Sequence, residues 1–416
     1  MFYCILNKNK LLANRIKKII YGILFYPMYL LSTIWPRSSK IWIFGAWYGK
    51  NYSDNPAYIY EYIVDKKLDI IPIWLTQNKN VIKTLRKKGF RVYSTFSIQG
   101  FWYALKGAVT FINCGYEDVN KYCIKKSIVV QLWHGVPLKK IKNDDEINNN
   151  LNDFLIFARK IFFKIFPFFD EKYDILISSG KITTQRYMTA FRLSRSKIFE
   201  TGFPRSDIIK SEKLSLNKDQ IMNYKSNNIH KLILYAPTHR AEGKSHFNIF
   251  SDYNLVDFNK FLKDNHSLLF IKLHFYEDYE KIMIMIENQS NIVILNNNID
   301  INRILFNMDI LITDYSSVFY DYLILDRPII FTPFDIDEYQ THDRELYVDY
   351  NQEVPGPVCL DWGDVKLELK KLFNQNDSFL SKRKKCYNKY FKYSDDQNTK
   401  RVINSVIKYL NRNVKY

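Results

Sequence analysis

The sequence predicts an α/β protein made of two successive doubly wound units, and three observations carry that prediction. Short apolar runs alternate with segments of helical period along most of the chain. The alternation breaks once, at a polar stretch, and then restarts. At 416 residues the chain is also too long for one ordinary core and suits two.

The strands expected in the first unit are Ile41–Ala46, Ile70–Leu75, Arg91–Ser94, Val109–Asn113, Ile128–Leu132, Ile175–Ser178 and Ile198–Thr201. Helical stretches such as Pro56–Val64, Val81–Lys88, Ile98–Leu105 and Lys181–Phe191 lie between them, as a parallel sheet covered on both faces requires. Ser211–His230, rich in Asn, Lys and Ser, reads as the connection. The second unit follows with Leu232–Tyr235, Leu268–Leu273, Ile292–Leu295, Ile310–Thr313 and Ile329–Phe331, and Val365–Phe373 and Arg401–Leu410 close the chain as helices. The expected division is a basic, apolar leading segment over 1–39, domains over 40–210 and 231–380 joined by 211–230, and basic helices over 381–416. Two Rossmann-like domains facing across a cleft describe a GT-B-like architecture, whose ligands sit beyond the carboxyl ends of the strands.

Composition narrows the class. The chain is 47% hydrophobic and 16% aromatic, which excludes a disordered protein. A formal net charge of +18 implies a polyanionic partner: nucleic acid, anionic membrane or a phosphate-rich substrate. No nucleic-acid recognition module accompanies that charge, so nucleic acid is not the expected partner. Five scattered cysteines without a CxxC pair give neither a zinc site nor a disulfide framework and fit a reducing cytoplasm. No acidic cluster has metal-site spacing, and no Walker A or GxGxxG loop is present, so neither a metal nor a cofactor is expected.

The N-terminus is lopsided. No acidic residue precedes Asp54, while Lys8, Lys10, Arg15, Lys17 and Lys18 lead into the apolar run Ile19–Trp35, interrupted by Gly22 and Pro27. The expectation is a basic, aromatic-rich helix lying in a membrane interface, with a true span or a buried first helix as alternatives. Phe154–Phe169 interleaves bulky aromatics with Arg159, Lys160 and Lys164, which fits either membrane docking or core packing.

Four sites place histidines or hydroxyls just after expected strands. Trp133-His134-Gly135 ends an apolar strand and delivers an imidazole to its tip, where a general base for an alcohol is useful at neutral pH. Thr238-His239-Arg240 follows the first strand of the second unit, and Arg240 can fork onto phosphate oxygens. Lys272-Leu273-His274 alternates so that Lys272 and His274 point to one side of a strand. Thr313-Asp314-Tyr315-Ser316-Ser317 sets two hydroxyls at a helix N-cap, a ready anion site. Three of them also have a plain structural explanation: a bonded loop histidine at His134, an edge strand at Lys272–His274 and an ordinary cap at Ser316 and Ser317.

Taken in order, these motifs make the chain resemble the CDP-glycerol glycerophosphotransferase family of teichoic-acid and capsule enzymes, from about Lys40 to Asp361. The resemblance includes Gly49-Lys50-Asn51-Tyr52-Ser53-Asp54-Asn55-Pro56, Leu138-Lys139-Lys140, Thr201-Gly202-Phe203-Pro204-Arg205, Asp321-Tyr322 and Pro355-Gly356-Pro357. It implies a CDP-glycerol or other CDP-polyol donor, a polyprenyl-linked glycan acceptor and release of CMP. It further implies His134 as general base and His239, Arg240, Lys272, His274, Asp314, Ser316 and Ser317 around the donor phosphates. Ser53, Asp54, Asn55 and Arg205 are acceptor-side or structural. The length departs from the family's long polymerases and is closer to its short, primase-like members. The expected location is peripheral, on an anionic membrane surface at the cytoplasmic face, and a homo-oligomer is left open. A nucleotide-sugar glycosyltransferase of the same fold and a non-enzymatic, lipid-acceptor-binding scaffold are the rival readings. Glycerol against ribitol, single transfer against polymerisation, and wall polymer against capsule are not decided by the residues.

Overall fold

The computed structural model describes residues 17–149, 152–211, 228–238, 250, 253–273, 279–296 and 299–413. His239, Arg240 and His274, most of the connection over 211–230 and the cations before Lys17 lie outside the described residues.

All twelve expected strands are present: β1 (Ser38–Phe44), β2 (Ile71–Thr76), β3 (Val92–Ser94), β4 (Gly107–Ile112), β5 (Ile128–Gln131), β6 (Ile175–Ser178), β7 (Ile198–Glu200), β8 (Lys231–Ala236), β9 (Ser267–Ile271), β10 (Ile292–Ile294), β11 (Ile310–Thr313) and β12 (Ile329–Phe331). They form two sheets, ordered β3-β2-β1-β4-β5-β6-β7 and β10-β9-β8-β11-β12. The pairings of β1 with β2 and β4, of β2 with β3, and of β4 with β5 are parallel. So are those of β8 with β9 and β11, and of β11 with β12. The reason is legible in β4 and β9, whose every residue is buried: a strand apolar on both faces needs helices on both faces, and parallel crossovers supply them. Each sheet turns back in strand order once, between β1 and β4 and between β8 and β11. These are the switch points at which doubly wound sheets bind ligands.

Contacts group the chain into two compact units, Met1–Trp133 with Leu151–Leu176 and Val406–Tyr416, and His134–Asn150 with Ile177–Ser405. The first has an aromatic core. Phe44 and Phe111, register partners on β1 and β4, stack with centroids 4.8 Å apart, and Tyr60 meets Phe44 edge-on at 5.6 Å. The second packs Trp362 against Phe250, at 4.3 Å, and against Tyr235 and Phe258.

The N-terminal segment is helical over 17–24 and again over Tyr26–Ile34, where Pro27 sits in the first turn and gives up no needed hydrogen bond. One face is buried: Tyr29 joins Tyr122 and Phe168 in a cluster edged by Phe25, Tyr26 and Met28. Arg37 fixes the exit by donating to the carbonyls of Ala104, Gly107 and Cys123. The opposite face is exposed, including Ile23 and Leu24. No described helix is long and apolar enough to cross a membrane.

Phe154–Phe169 divides in two. The helix Asp153–Ile165, capped by the Asn152 side chain on Leu155 N–H, buries none of its residues, and Phe154 and Phe157 are 74% and 62% exposed. The turn after it, Pro167–Phe169, inserts Phe168 into the Tyr29 cluster.

Candidate active site

At the carboxyl end of the first sheet, one buried carboxylate ties the loops after β1 and β4 together. Asp118 accepts from Tyr48 N–H at 2.6 Å and from the N–H groups of Asn113 and Cys114 at 2.8 Å each. Burial pushes its carboxyl up to about 6 against the opposite pull of those backbone donors. Gly45 is forced here, because a Cβ would meet Asp118 O at 2.1 Å. Asn113 extends the network, its amide accepting from Trp47 N–H and donating to Asp54 at 3.4 Å.

Asp54 and Asn55, expected on the acceptor side or as structure, are buried and structural in what they touch. Asp54 accepts from Asn55 N–H at 2.8 Å. The Asn55 amide donates to Trp133 O at 2.9 Å and, less closely, to Leu132 O. Ser53 is the N-cap residue of the helix Asp54–Asp65 and makes no side-chain capping bond. Thus the first turn of the helix Asp54–Asp65 holds the backbone just past β5, where His134 follows.

The turn itself is unusual. Trp133 has φ +50° and Gly135 φ +110°, so two left-handed residues flank His134. Trp133 N–H donates to the Gln131 side chain at 2.9 Å. In the second unit, Tyr187 donates to Gly135 O at 2.8 Å and Arg186 to Pro137 O at 2.6 Å. Close by Gly135 lies the ion pair of Arg205 with Asp321, 3.1 Å apart, with side chains 7% and 2% exposed. Arg205 also forks onto Asn302 Oδ1 at 3.2 and 3.1 Å.

At the carboxyl end of the second sheet, Thr313 donates its hydroxyl to Ala236 O at 2.7 Å, and Thr238 N–H donates to Asp314 at 2.9 and 3.0 Å. These bonds join the loop that leads to His239 and Arg240 with the loop that carries Ser316 and Ser317, across the β8–β11 switch point. Asp314, expected at the donor phosphates, is fully buried with its carboxylate on that amide. In that position Asp314 braces the two loops at the base of the expected donor site. Tyr350 adds a bond to Asp314 O at 3.1 Å.

Ser316 and Ser317 are half-buried. Ser317 caps the short helix Val318–Tyr322 without a side-chain capping bond, and Ser316 Oγ accepts from Val318 N–H at 3.4 Å. Five residues make a weak dipole, so local amides and hydroxyls carry any anion preference here. Lys272 lies past the end of β9 and not on it, which removes the strand alternation argued for Lys272 and His274; the buried Leu273 had extended the apolar run. Lys272 Nζ donates to Asn296 O at 3.1 Å. Burial pushes its ammonium down to about 8, with Asp300 opposing. No group of His, Cys, Asp and Glu that could hold a metal ion occurs among the described residues.

Tyr187, Arg186, Asp118, Asn113 and Asn302 were not singled out by the sequence. Arg186 meets Pro137 across 49 residues, Tyr187 meets Gly135 across 52, Asn113 meets Trp47 across 66, Asp118 meets Tyr48 across 70 and Asn302 meets Arg205 across 97, and no local pattern reports such contacts.

Comparison with known proteins accords with this geometry. The chain is 28% identical over 412 residues to the teichoic acid glycerol-phosphate transferase of Staphylococcus aureus (strain NCTC 8325 / PS 47), covering 96% of this chain and 100% of that one. It is 29% identical over 411 residues to the teichoic acid poly(glycerol phosphate) polymerase of Bacillus spizizenii (strain ATCC 23059 / NRRL B-14472 / W23), with 93% and 96% covered. The structure of the wall teichoic acid polymerase TagF superposes with a TM-score of 0.73 over 97% of this chain and 99% of that one. At 23% identity that likeness is one of fold, a twin-sheet α/β architecture. A variant of TagF has also been soaked with CDPG. The sequence profile of the CDP-glycerol:poly(glycerophosphate) glycerophosphotransferases matches residues 27–408, and the chain belongs to that family.

Proposed function

We propose that the protein transfers glycerol phosphate from CDP-glycerol to a hydroxyl of a polyprenyl-linked acceptor in teichoic acid synthesis, with CMP as the leaving group. The observation that carries this beyond family membership is the β8–β11 switch point. There Thr313 and Thr238 lock two loops so that Ser316, Ser317 and the chain entering His239 and Arg240 share one strand edge. In a doubly wound sheet that edge is where a nucleotide diphosphate binds.

In the proposed chemistry His134 takes the proton of the acceptor hydroxyl as its oxygen attacks the phosphorus that bears glycerol. A new P–O bond forms, the bond from that phosphorus to the bridging oxygen breaks, and CMP leaves with the electron pair. Charge on the transferred phosphoryl oxygens and on CMP is met by Lys272, by Ser316 and Ser317, and by His239, Arg240 and His274. Asp54, Asn55, Asp314 and Arg205 hold the loops that carry these groups.

The enzyme works on the cytoplasmic face of the membrane as a peripheral protein. In support, the first unit exposes Ile23 and Leu24, 61% and 62% accessible, and the outer residues of Asp153–Ile165, beside Lys17, Lys18, Arg159, Lys160 and Lys164. Apolar insertion with a basic rim suits an anionic lipid surface, each cation adding about 1 kcal/mol near it.

Incubation of purified enzyme with CDP-glycerol or CDP-ribitol and a synthetic lipid acceptor, with mass spectrometry of the products, tests the transfer. A glycerol-phosphate adduct with CMP is expected. Release of a nucleoside diphosphate with transfer of a sugar would replace this reading by a glycosyltransferase, and turnover with CDP-ribitol alone would change the polyol.

A further inference from the structure

We propose that Tyr187 is a positioning residue for His134, acting through the carbonyl of Gly135. The proposal rests on His134 being the base of the transfer. His134 lies between Trp133 at φ +50° and Gly135 at φ +110°. A tryptophan in the left-handed region is strained, and such a turn persists only where its surroundings over-determine it.

The helix Lys181–Ala190 supplies that determination from two consecutive residues. The Tyr187 hydroxyl donates to Gly135 O at 2.8 Å, and Arg186 Nη1 donates to Pro137 O at 2.6 Å. Arg186 is itself fixed, since Nη2 donates to the Tyr390 hydroxyl at 2.9 Å and the guanidinium lies over the rings of Tyr347 and Tyr390. Two carbonyls just after His134 are thus captured by one rigid element. Tyr187 is fully buried, and burial holds its phenol well above the usual range, with the nearby Arg205 opposing. It therefore remains a donor throughout the working pH range. The other side of Gly135 is closed by Arg205, whose Nη1 would be 3.1 Å from an added Cβ. The backbone carrying the imidazole is held from the Tyr187 side and crowded from the Arg205 side.

Tyr187→Phe removes one hydroxyl and keeps the ring that packs edge-on against Phe191 at 5.5 Å. Turnover and donor KM are measured for the native enzyme, Tyr187→Phe, His134→Ala and the double variant. A base displaced by a fraction of an ångström gives roughly a tenfold lower kcat in Tyr187→Phe, with donor KM and CMP affinity within about twofold. In the His134→Ala background the same change costs nothing further, because residues acting through one group are not additive. Arg186→Lys, which loses the guanidinium that bonds both Pro137 O and the Tyr390 hydroxyl and keeps the charge, shows the same dependence on background and serves if Tyr187→Phe does not fold. A full His134→Ala effect beside an unchanged kcat in Tyr187→Phe, or an equal loss in both backgrounds, overturns the positioning role alone. Normal turnover of His134→Ala overturns the base assignment, and this proposal with it.

Discussion

The two strand-end regions of this protein are built differently. At the end of β5, buried polar side chains are bonded to backbone: Asp118 to three loop amides and Asn55 to Trp133 O, and just after His134, Tyr187 to Gly135 O. At the end of β8 and β11 the base is fastened by Thr313 and by Asp314, Lys272 is bonded to Asn296 O, and Ser316, Ser317 and Lys272 are half-buried above it. The first arrangement spends many hydrogen bonds to hold one imbalanced turn. The second offers several donors at an edge open enough to take a charged ligand. Rigid placement suits a group that must meet a proton in one geometry, and a set of donors suits an anion that can be bound in pieces.

The comparison breaks most readily at His134. His134→Ala is expected to lower kcat by roughly a hundredfold or more, as loss of a general base does, with CMP affinity unchanged by calorimetry. A variant that loses CMP binding instead would move His134 to the donor site and erase the contrast.

Asp118 tests the brace itself. Asp118→Ala leaves buried amides of Tyr48, Asn113 and Cys114 without their acceptor, a loss of roughly 3 kcal/mol of stability. Denaturant unfolding should show a lower midpoint, and hydrogen exchange should rise first at those amides. An unchanged midpoint would mean that the loops after β1 and β4 hold their shape without it.

How much of this was legible in the sequence follows from the range of each interaction. The strands were readable because continuous burial in a parallel sheet leaves continuous apolar runs, as in Val109–Ile112 and Ile310–Thr313. The site motifs were readable because each sits within a few residues of a strand end. The edge of β9 was misplaced because the buried Leu273 continues the apolar run after strand pairing has stopped. Phe154–Phe169 stayed ambiguous because periodicity does not say which aromatic turns inward, and Phe168 alone goes to the core. The braces were invisible for another reason: Asp118 meets Tyr48 across 70 residues and Tyr187 meets Gly135 across 52.

Lys272 sharpens the contrast through pH. Its ammonium titrates near 8 because burial disfavours the charged form. A bound phosphate favours the charged form, so donor and CMP affinities should be flat below pH 8 and fall as pH rises through it, by at most about tenfold per unit. Lys272→Met should weaken CMP by roughly tenfold and abolish that fall. Stability has its own sign: the charged folded state is penalised below pH 8, and the penalty is relieved as pH rises from 8 toward the ordinary lysine value, where the unfolded chain binds the extra proton. Affinity and stability should therefore move in opposite directions above pH 8.

The smallest expected effects belong to Ser316 and Ser317, and they separate a cap from a ligand. A serine that caps a helix stabilises it by about 1 kcal/mol, and its loss leaves ligand binding alone. Here Ser317 makes no side-chain capping bond and Ser316 reaches Val318 N–H only at 3.4 Å, a weak contact, above a helix of five residues. Ser316→Ala and Ser317→Ala should each therefore shift the thermal midpoint little. If the hydroxyls bond the donor phosphates, each loss should weaken CMP about three- to tenfold, the net worth of about 1 kcal/mol for one ordinary hydrogen bond. The opposite pattern, a lowered midpoint with CMP affinity intact in both variants, would return the pair to structure. The donor site would then rest on Lys272 and the residues that follow Thr238.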